Sequence, residues 1–184
     1  MIYTIIGGIN GTGKSSLTGV LKAERDDLGC VIDVDKIAAQ RSCDNLEAGR
    51  IAIRKIEELL ERGLDFAQET TLAGRRIEQT ARRAKELGYR VRLFYVGLDS
   101  VDECISRVAA RVLRGGHGVP ERDIRRRFAG RFTDLARVLV YCDEARFYDN
   151  GCGFVEAAEY KNGEIIPKGT AHPDWIAGAM AALE

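Results

Sequence analysis

Apolar and polar residues alternate along this chain with a period that changes from block to block. Residues 2–6, Ile-Tyr-Thr-Ile-Ile, form a largely β-branched run, as a buried strand does. A glycine-rich stretch follows, then a helical pattern over residues 14–23. "CVIDVD", residues 30–35, predicts a second strand ending on two aspartates. Residues 45–63 carry a long helical period stopped by Gly63, and "DFAQETT", residues 65–71, predicts a third strand. Ile77, Ala81, Ala84 and Leu87 fall on one helical face, and residues 90–98 predict a fourth strand. Asp99 and Ser100 offer an N-cap to a helix with Val101, Ile105, Val108 and Val112 on one face. "RGGHGVP" breaks it, and Ile124, Phe128, Phe132, Leu135 and Leu139 resume the period. "FVEAAEYKNGEIIPK" predicts a hairpin turning at Asn162-Gly163, and a short helix holding Trp175 closes the chain. Strands alternating with helices specify an α/β fold with a mainly parallel sheet, here with a C-terminal β-hairpin.

The glycine-rich stretch "GGINGTGKSS" turns this fold class into chemistry. It fits G-x-x-x-x-G-K-S at Gly8, Gly13, Lys14 and Ser15, between a strand and a helix. Glycines let backbone N–H groups approach phosphate oxygens, and the following helix presents its positive end to the anion. Gly8, Asn10, Gly11, Thr12, Gly13, Lys14, Ser15 and Ser16 are therefore the expected nucleotide-binding residues. Lys14 would reach the β- and γ-phosphates, and Ser15 would offer a hydroxyl to Mg²⁺. A Rossmann dinucleotide loop needs a third glycine where Ser16 stands. No H-R-D or D-F-G triplet supports a protein-kinase fold. The loop alone leaves three outcomes open: phosphoryl transfer, hydrolysis as a switch, or binding only.

Asp33 and Asp35 close the predicted second strand, and alternation would aim both to one side. In an open α/β sheet that end of the strands borders the ligand crevice. Asp35 is the candidate base or orienting group for an acceptor hydroxyl, and Asp33 the candidate partner of the metal. The competing reading is a cap for the helix that follows. Glu69, Thr70 and Thr71 reach the same crevice as candidate acceptor-binding residues, or as a strand-end cap.

Eight arginines and no lysine occupy residues 107–131, against Glu121 and Asp123. Arg107, Arg111 and Arg114 share one helical stripe, Gly115, Gly116 and Gly118 make a joint with His117 in it, and Arg126, Arg127 and Arg131 follow. Arginine's planar fork pairs bidentately with phosphate. The block reads as a lid closing over a nucleotide, or as a solvated charged face.

The whole chain of 184 residues, with 28 basic and 28 acidic side chains, fits one domain and gives no bulk sign of nucleic-acid binding. Five unpaired cysteines, no membrane-length apolar run and no basic leader predict a cytoplasmic protein.

Together, "GGINGTGKSS", "DVDKIA", "ETTLAGR", "GYRVRLFYVGLDS", "RVAARV", "GGHGVPERDIRRRF" and "YDN" resemble short bacterial members of the zeta-toxin family over residues 2–150. The resemblance implies a three-layer P-loop kinase-like fold, ATP or GTP with Mg²⁺, a UDP-activated amino sugar as acceptor, and a small antitoxin partner. It gives Lys14 the phosphate-loop role, Asp35 the catalytic role, Glu69 a place at the acceptor, and the phosphate-binding arginines to Arg111 or Arg114 with Arg126 or Arg127. The chain departs from the family at Gly130-Arg131, Asp134 and Gly151. Two other functions compete: a nucleotide-binding ATPase or switch without acceptor, and a polynucleotide 5′-kinase.

Overall fold

The computed structural model describes residues 1–170 and 173–183. Its strands are β1 (Ile2–Gly7), β2 (Cys30–Ile32), β3 (Phe66–Thr70), β4 (Arg90–Gly97), β5 (Glu144–Asp149), β6 (Val155–Lys161) and β7 (Glu164–Pro167). Its helices are α1 (Lys14–Glu24), α2 (Val34–Arg41), α3 (Asn45–Glu61), α4 (Arg76–Glu86), α5 (Val101–Leu113), α6 (Glu121–Leu139) and α7 (Asp174–Ala181). The strands form one seven-stranded sheet in the order β2-β3-β1-β4-β5-β6-β7. Pairing is parallel from β2 through β5 and antiparallel from β5 to β7.

Central β1 and β4 are buried on both faces, and alternation sorts their side chains into two cores. Tyr3, Ile5, Val91, Leu93 and Tyr95 pack with α3, α4, α6 and α7. Ile6, Phe94 and Val96 pack with Leu17 and Leu21 of α1 on the other face. Three layers result. At the lower end of the α1 face Arg92 is buried and donates to Thr4 Oγ1 at 2.7 Å and to Asp27. Hydrogen bonds from Arg92 and then Arg25 hold the Asp27 carboxyl well below its usual range. This pair fastens the end of α1 beneath β4.

Two expectations need correction. The second strand stops at Ile32, three residues early, because Asp33 turns the chain into α2. The third strand stops at Thr70, where the threonine hydroxyl accepts from Leu72 N–H at 3.0 Å and bends the chain. β5 was not anticipated; "EARFYD" is short and partly exposed, so its alternation is faint. The expected hairpin is present, and Asn162 and Gly163 both have positive φ, as a two-residue type I′ turn requires.

Candidate functional site

The phosphate loop links Gly7 to Lys14 at the carboxyl ends of β1 and its neighbours. Two glycines are required by packing. Gly11, at φ +88, lies against the Cys104 carbonyl of α5, and Gly13, at φ +103, lies against the Asn150 side chain; a Cβ at either position would collide. The N-terminus of α1 has no side-chain cap and no acidic residue in its first turn. Its backbone donors and positive dipole end are thus left for an external anion. These features fit a phosphate group.

Lys14 Nζ donates to Ile9 C=O at 3.1 Å. Burial away from water pushes the Lys14 pKa down to about 8, against the pull of the Glu69, Asp35 and Asp33 carboxylates and with a small push from Arg111. Ser15 Oγ donates to Glu69 Oε2 at 2.8 Å. The other oxygen, Glu69 Oε1, is buried without a hydrogen bond, 3.6 Å from Lys36 Nζ. Glu69 is therefore placed beside the serine expected to meet a metal.

Asp33 does not close a strand beside Asp35. It N-caps α2, its Oδ1 accepting from the N–H groups of Asp35 at 3.0 Å and Lys36 at 3.4 Å. Asp35 lies in the first helical turn. Alternation was the wrong reason for their convergence, but both line the cleft. Capping and site placement coexist.

Two cavities meet at the loop. One, of about 410 Å³, is bordered by Asn10, Asp33, Asp35, Glu69, Thr70 and Thr71 together with His117, Asp123 and Arg127. The second, of about 300 Å³, is bordered by Gly11, Gly13, Ser16, Arg107, Val108 and Asn150. Lys14, Ser15 and Arg111 line both. No Phe, Tyr or Trp side chain lines the first cavity among the described residues.

The arginines of the block have different fates. Arg111 turns in with Nε and Nη2 buried and without partners. Arg127 Nη1 donates to Asn10 Oδ1 of the phosphate loop at 2.7 Å. Arg107 donates to Glu103 and to the Asn150 carbonyl, each at 2.6 Å. Arg131 is half-buried, stacked on Phe128 and Phe132 with its guanidinium 3.6 and 4.0 Å from the ring centroids. Arg125 pairs with Asp102 and Glu121 on the surface. Arg114 ends α5 exposed, and Arg126 is exposed beside Asp123; neither lines a cavity at the loop. The structure does not bring those two to the loop. Arg114 follows the last turn of α5, so the stripe does not carry it inward, and Arg126 is one position off the inward side that Arg127 takes. Arg107 and Asn150 were not singled out as site residues; "YDN" was the available signal for Asn150.

The zeta toxin family model matches residues 2–149. The chain belongs to the zeta toxin family. Outside this match lie β6, β7 and α7. A relative of this zeta toxin family chain, an uncharacterized protein of Haemophilus influenzae, is 36% identical over 126 residues, covering 66% of this chain and 88% of that one. The fold is that of P-loop kinase-like zeta toxins. The structure of the PezAT chromosomal toxin–antitoxin system of Streptococcus pneumoniae superposes with a TM-score of 0.59 at 18% identity, over 84% of this chain and 69% of that chain. The AvrRxo1-ORF1:-ORF2 complex with ATP gives 0.70 at 16% identity, over 99% and 75%.

Proposed function

We propose that this protein is a P-loop phosphotransferase that moves a phosphoryl group from a nucleoside triphosphate to a hydroxyl of a small molecule. The observation that carries this reading is the pair of cavities joined at Lys14, Ser15 and Arg111, with a carboxylate, Asp35, lining the larger one, which Thr70 and Thr71 also border. A switch needs only the nucleotide side. A carboxylate-lined second cavity is what transfer to an acceptor requires.

The donor supplies the phosphoryl group; ATP is the donor proposed, with the AvrRxo1 neighbour's ATP complex in support. Backbone N–H groups of the loop and Lys14 bind its phosphates. Mg²⁺ would supply charge neutralisation between phosphates, held by Ser15 with Asp33 and Glu69 nearby. Among the described residues no cluster of three or more His, Cys, Asp or Glu side chains forms a metal site of its own, so the phosphates would complete the coordination. Asp35 accepts the proton of the acceptor hydroxyl or orients it. Arg111 and Arg127 offset charge on the group in transfer, and the unpartnered buried nitrogens of Arg111 leave it donors for that role.

The acceptor proposed is a UDP-activated amino sugar, as membership of the family implies, held by Glu69, Thr70, Thr71 and His117. A small antitoxin is the proposed partner, as in the PezAT system. A polynucleotide 5′-kinase is disfavoured, because a single-stranded end is usually stacked on large aromatic side chains and no Phe, Tyr or Trp lines this cavity among the described residues. No helix among the described residues is long and apolar enough to cross a membrane. The cytoplasm is the proposed location. To test the function, incubate the protein with ATP, Mg²⁺ and a pool of UDP-sugars and analyse products by mass spectrometry. A phosphorylated sugar nucleotide is expected. ATP turnover indifferent to every acceptor would overturn the reading.

A further inference from the structure

The "YDN" segment is given no role in the transfer above, yet its asparagine holds the phosphate loop. Asn150 Nδ2 donates to the Thr12 carbonyl at 2.7 Å. The Thr12–Gly13 peptide is planar and trans, so its C=O and N–H point in opposite directions. Fixing the Thr12 carbonyl on Asn150 therefore turns the Gly13 N–H to the opposite side of that peptide, free to donate to a phosphate oxygen. Asn150 is held in turn. Its carbonyl accepts from Arg107 at 2.6 Å, and its N–H donates to Gly97 C=O at 3.3 Å.

The chain bends just there because Asp149 Oδ2 accepts from Gly151 N–H at 3.0 Å. Asp149 Oδ1 accepts from the Trp175 indole N–H at 2.9 Å. Trp175 is 3% exposed and packs on Tyr95 and Phe147. Its backbone N–H donates to Asp99 Oδ1 at 2.7 Å. Gly97 lets the indole lie flush on β4, since a Cβ there would strike the ring. The route from α7 to the loop is continuous: Trp175, Asp149, Asn150, Thr12.

We infer that Asn150 and Trp175 are positioning residues for the phosphate loop, so that the C-terminal helix, outside the family match, sets the aim of a phosphate-binding N–H. This rests on the proposal that the loop binds a nucleoside triphosphate. Linkage makes the effect reciprocal: if the Trp175–Asp149–Asn150 chain strengthens nucleotide binding, bound nucleotide strengthens the chain. Trp175 is the sole tryptophan, so its emission reports on this directly.

The test uses the full chain and a non-hydrolysable ATP analogue with Mg²⁺, titrated by calorimetry and by tryptophan emission, with thermal melts as a control. Asn150→Asp keeps the shape but presents an acceptor to the Thr12 carbonyl; at least 20-fold weaker binding is expected. Trp175→Phe keeps a ring and removes the donor; three- to five-fold weaker binding is expected. In the unsubstituted protein the analogue should change the emission, and Asn150→Ala should abolish that change even at saturation. Folding is checked by the melts, and affinity is read only below the onset of melting. Binding by both Asn150→Asp and Trp175→Phe within two-fold of the unsubstituted protein would overturn the inference and leave the functional reading intact. No binding by the unsubstituted protein would overturn both.

Discussion

Residues 8–13 and the arginine block of residues 107–131 line the same cavity, yet their arrangements arise in different ways. The phosphate loop is nearly a local object. Its course follows from a buried strand, three positive-φ glycines and a helix start, all within residues 2–24. The arginine block is the opposite case. Eight chemically identical side chains are sent to a loop carbonyl, a cavity, a phosphate-loop asparagine, an aromatic stack and open solvent. A motif of glycines carries its geometry in its backbone. A run of arginines carries none until the helices that bear it are packed.

The largest effects should fall on the loop and on the carboxylate that shares its cavity. Asp35→Asn should lower kcat about 10²–10⁴-fold while the ATP analogue still binds. Retained turnover would remove Asp35 from the reaction and weaken the case for an acceptor side. Lys14→Ala should cut both nucleotide binding and transfer, by about 10²-fold or more in kcat/KM, as loss of a charge-assisted donor to a developing charge does. Steady-state kinetics alongside calorimetry separates the two variants.

The next contrast lies inside the block. Arg111→Ala should cost about 10- to 10³-fold in kcat/KM, the range for one preorganised donor at a transferring group. Arg125→Ala should leave kinetics unchanged, because its partners are exposed carboxylates. Equal losses in the two would mean that bulk positive charge, rather than placement, matters. Arg131→Ala should leave nucleotide affinity alone but lower stability by about 1–2 kcal/mol, from its stack on two phenylalanines. A thermal melt reads that difference.

A smaller effect concerns pH. Lys14 has a pKa of about 8, so it is charged below that pH and progressively neutral above it. Nucleotide binding favours the charged form. Affinity should therefore be flat from this group below pH 8 and fall toward about ten-fold weaker by pH 9. Binding above pH 8 should take up a proton. Lys14→Ala should show no such slope, which calorimetry in two buffers of different ionisation enthalpy can check.

Much of the site was legible before the tertiary structure. The loop pattern named Lys14 and Ser15, and the two aspartates were found by their place near a strand end. Their route into the cleft was misread. Asp33 bonds to the backbone two and three residues on, a local contact that competes with the strand ladder and ends it. Glu69 was expected on the acceptor side; it lines the cavity with Asp35, Thr70 and Thr71, and its bond with Ser15 was not foreseen. Arg114 was chosen by spacing along one helix and Arg126 by the family resemblance; which side of each helix meets the loop depends on how α5 and α6 pack.

The sequence by itself determined the strand–loop–helix that can hold phosphates, the β-hairpin at Asn162-Gly163 and the burial of β1. Each follows from backbone preference or side-chain alternation over a few neighbours. Only the tertiary structure decided which arginines enter the cleft, that Glu69 rests on Ser15, and that Asn150, 138 residues from Thr12, holds the loop. Contacts across such separations carry no period along the chain. They exist only once parallel pairing of β1 with β3 and β4, and β4 with β5, has brought the strand ends together.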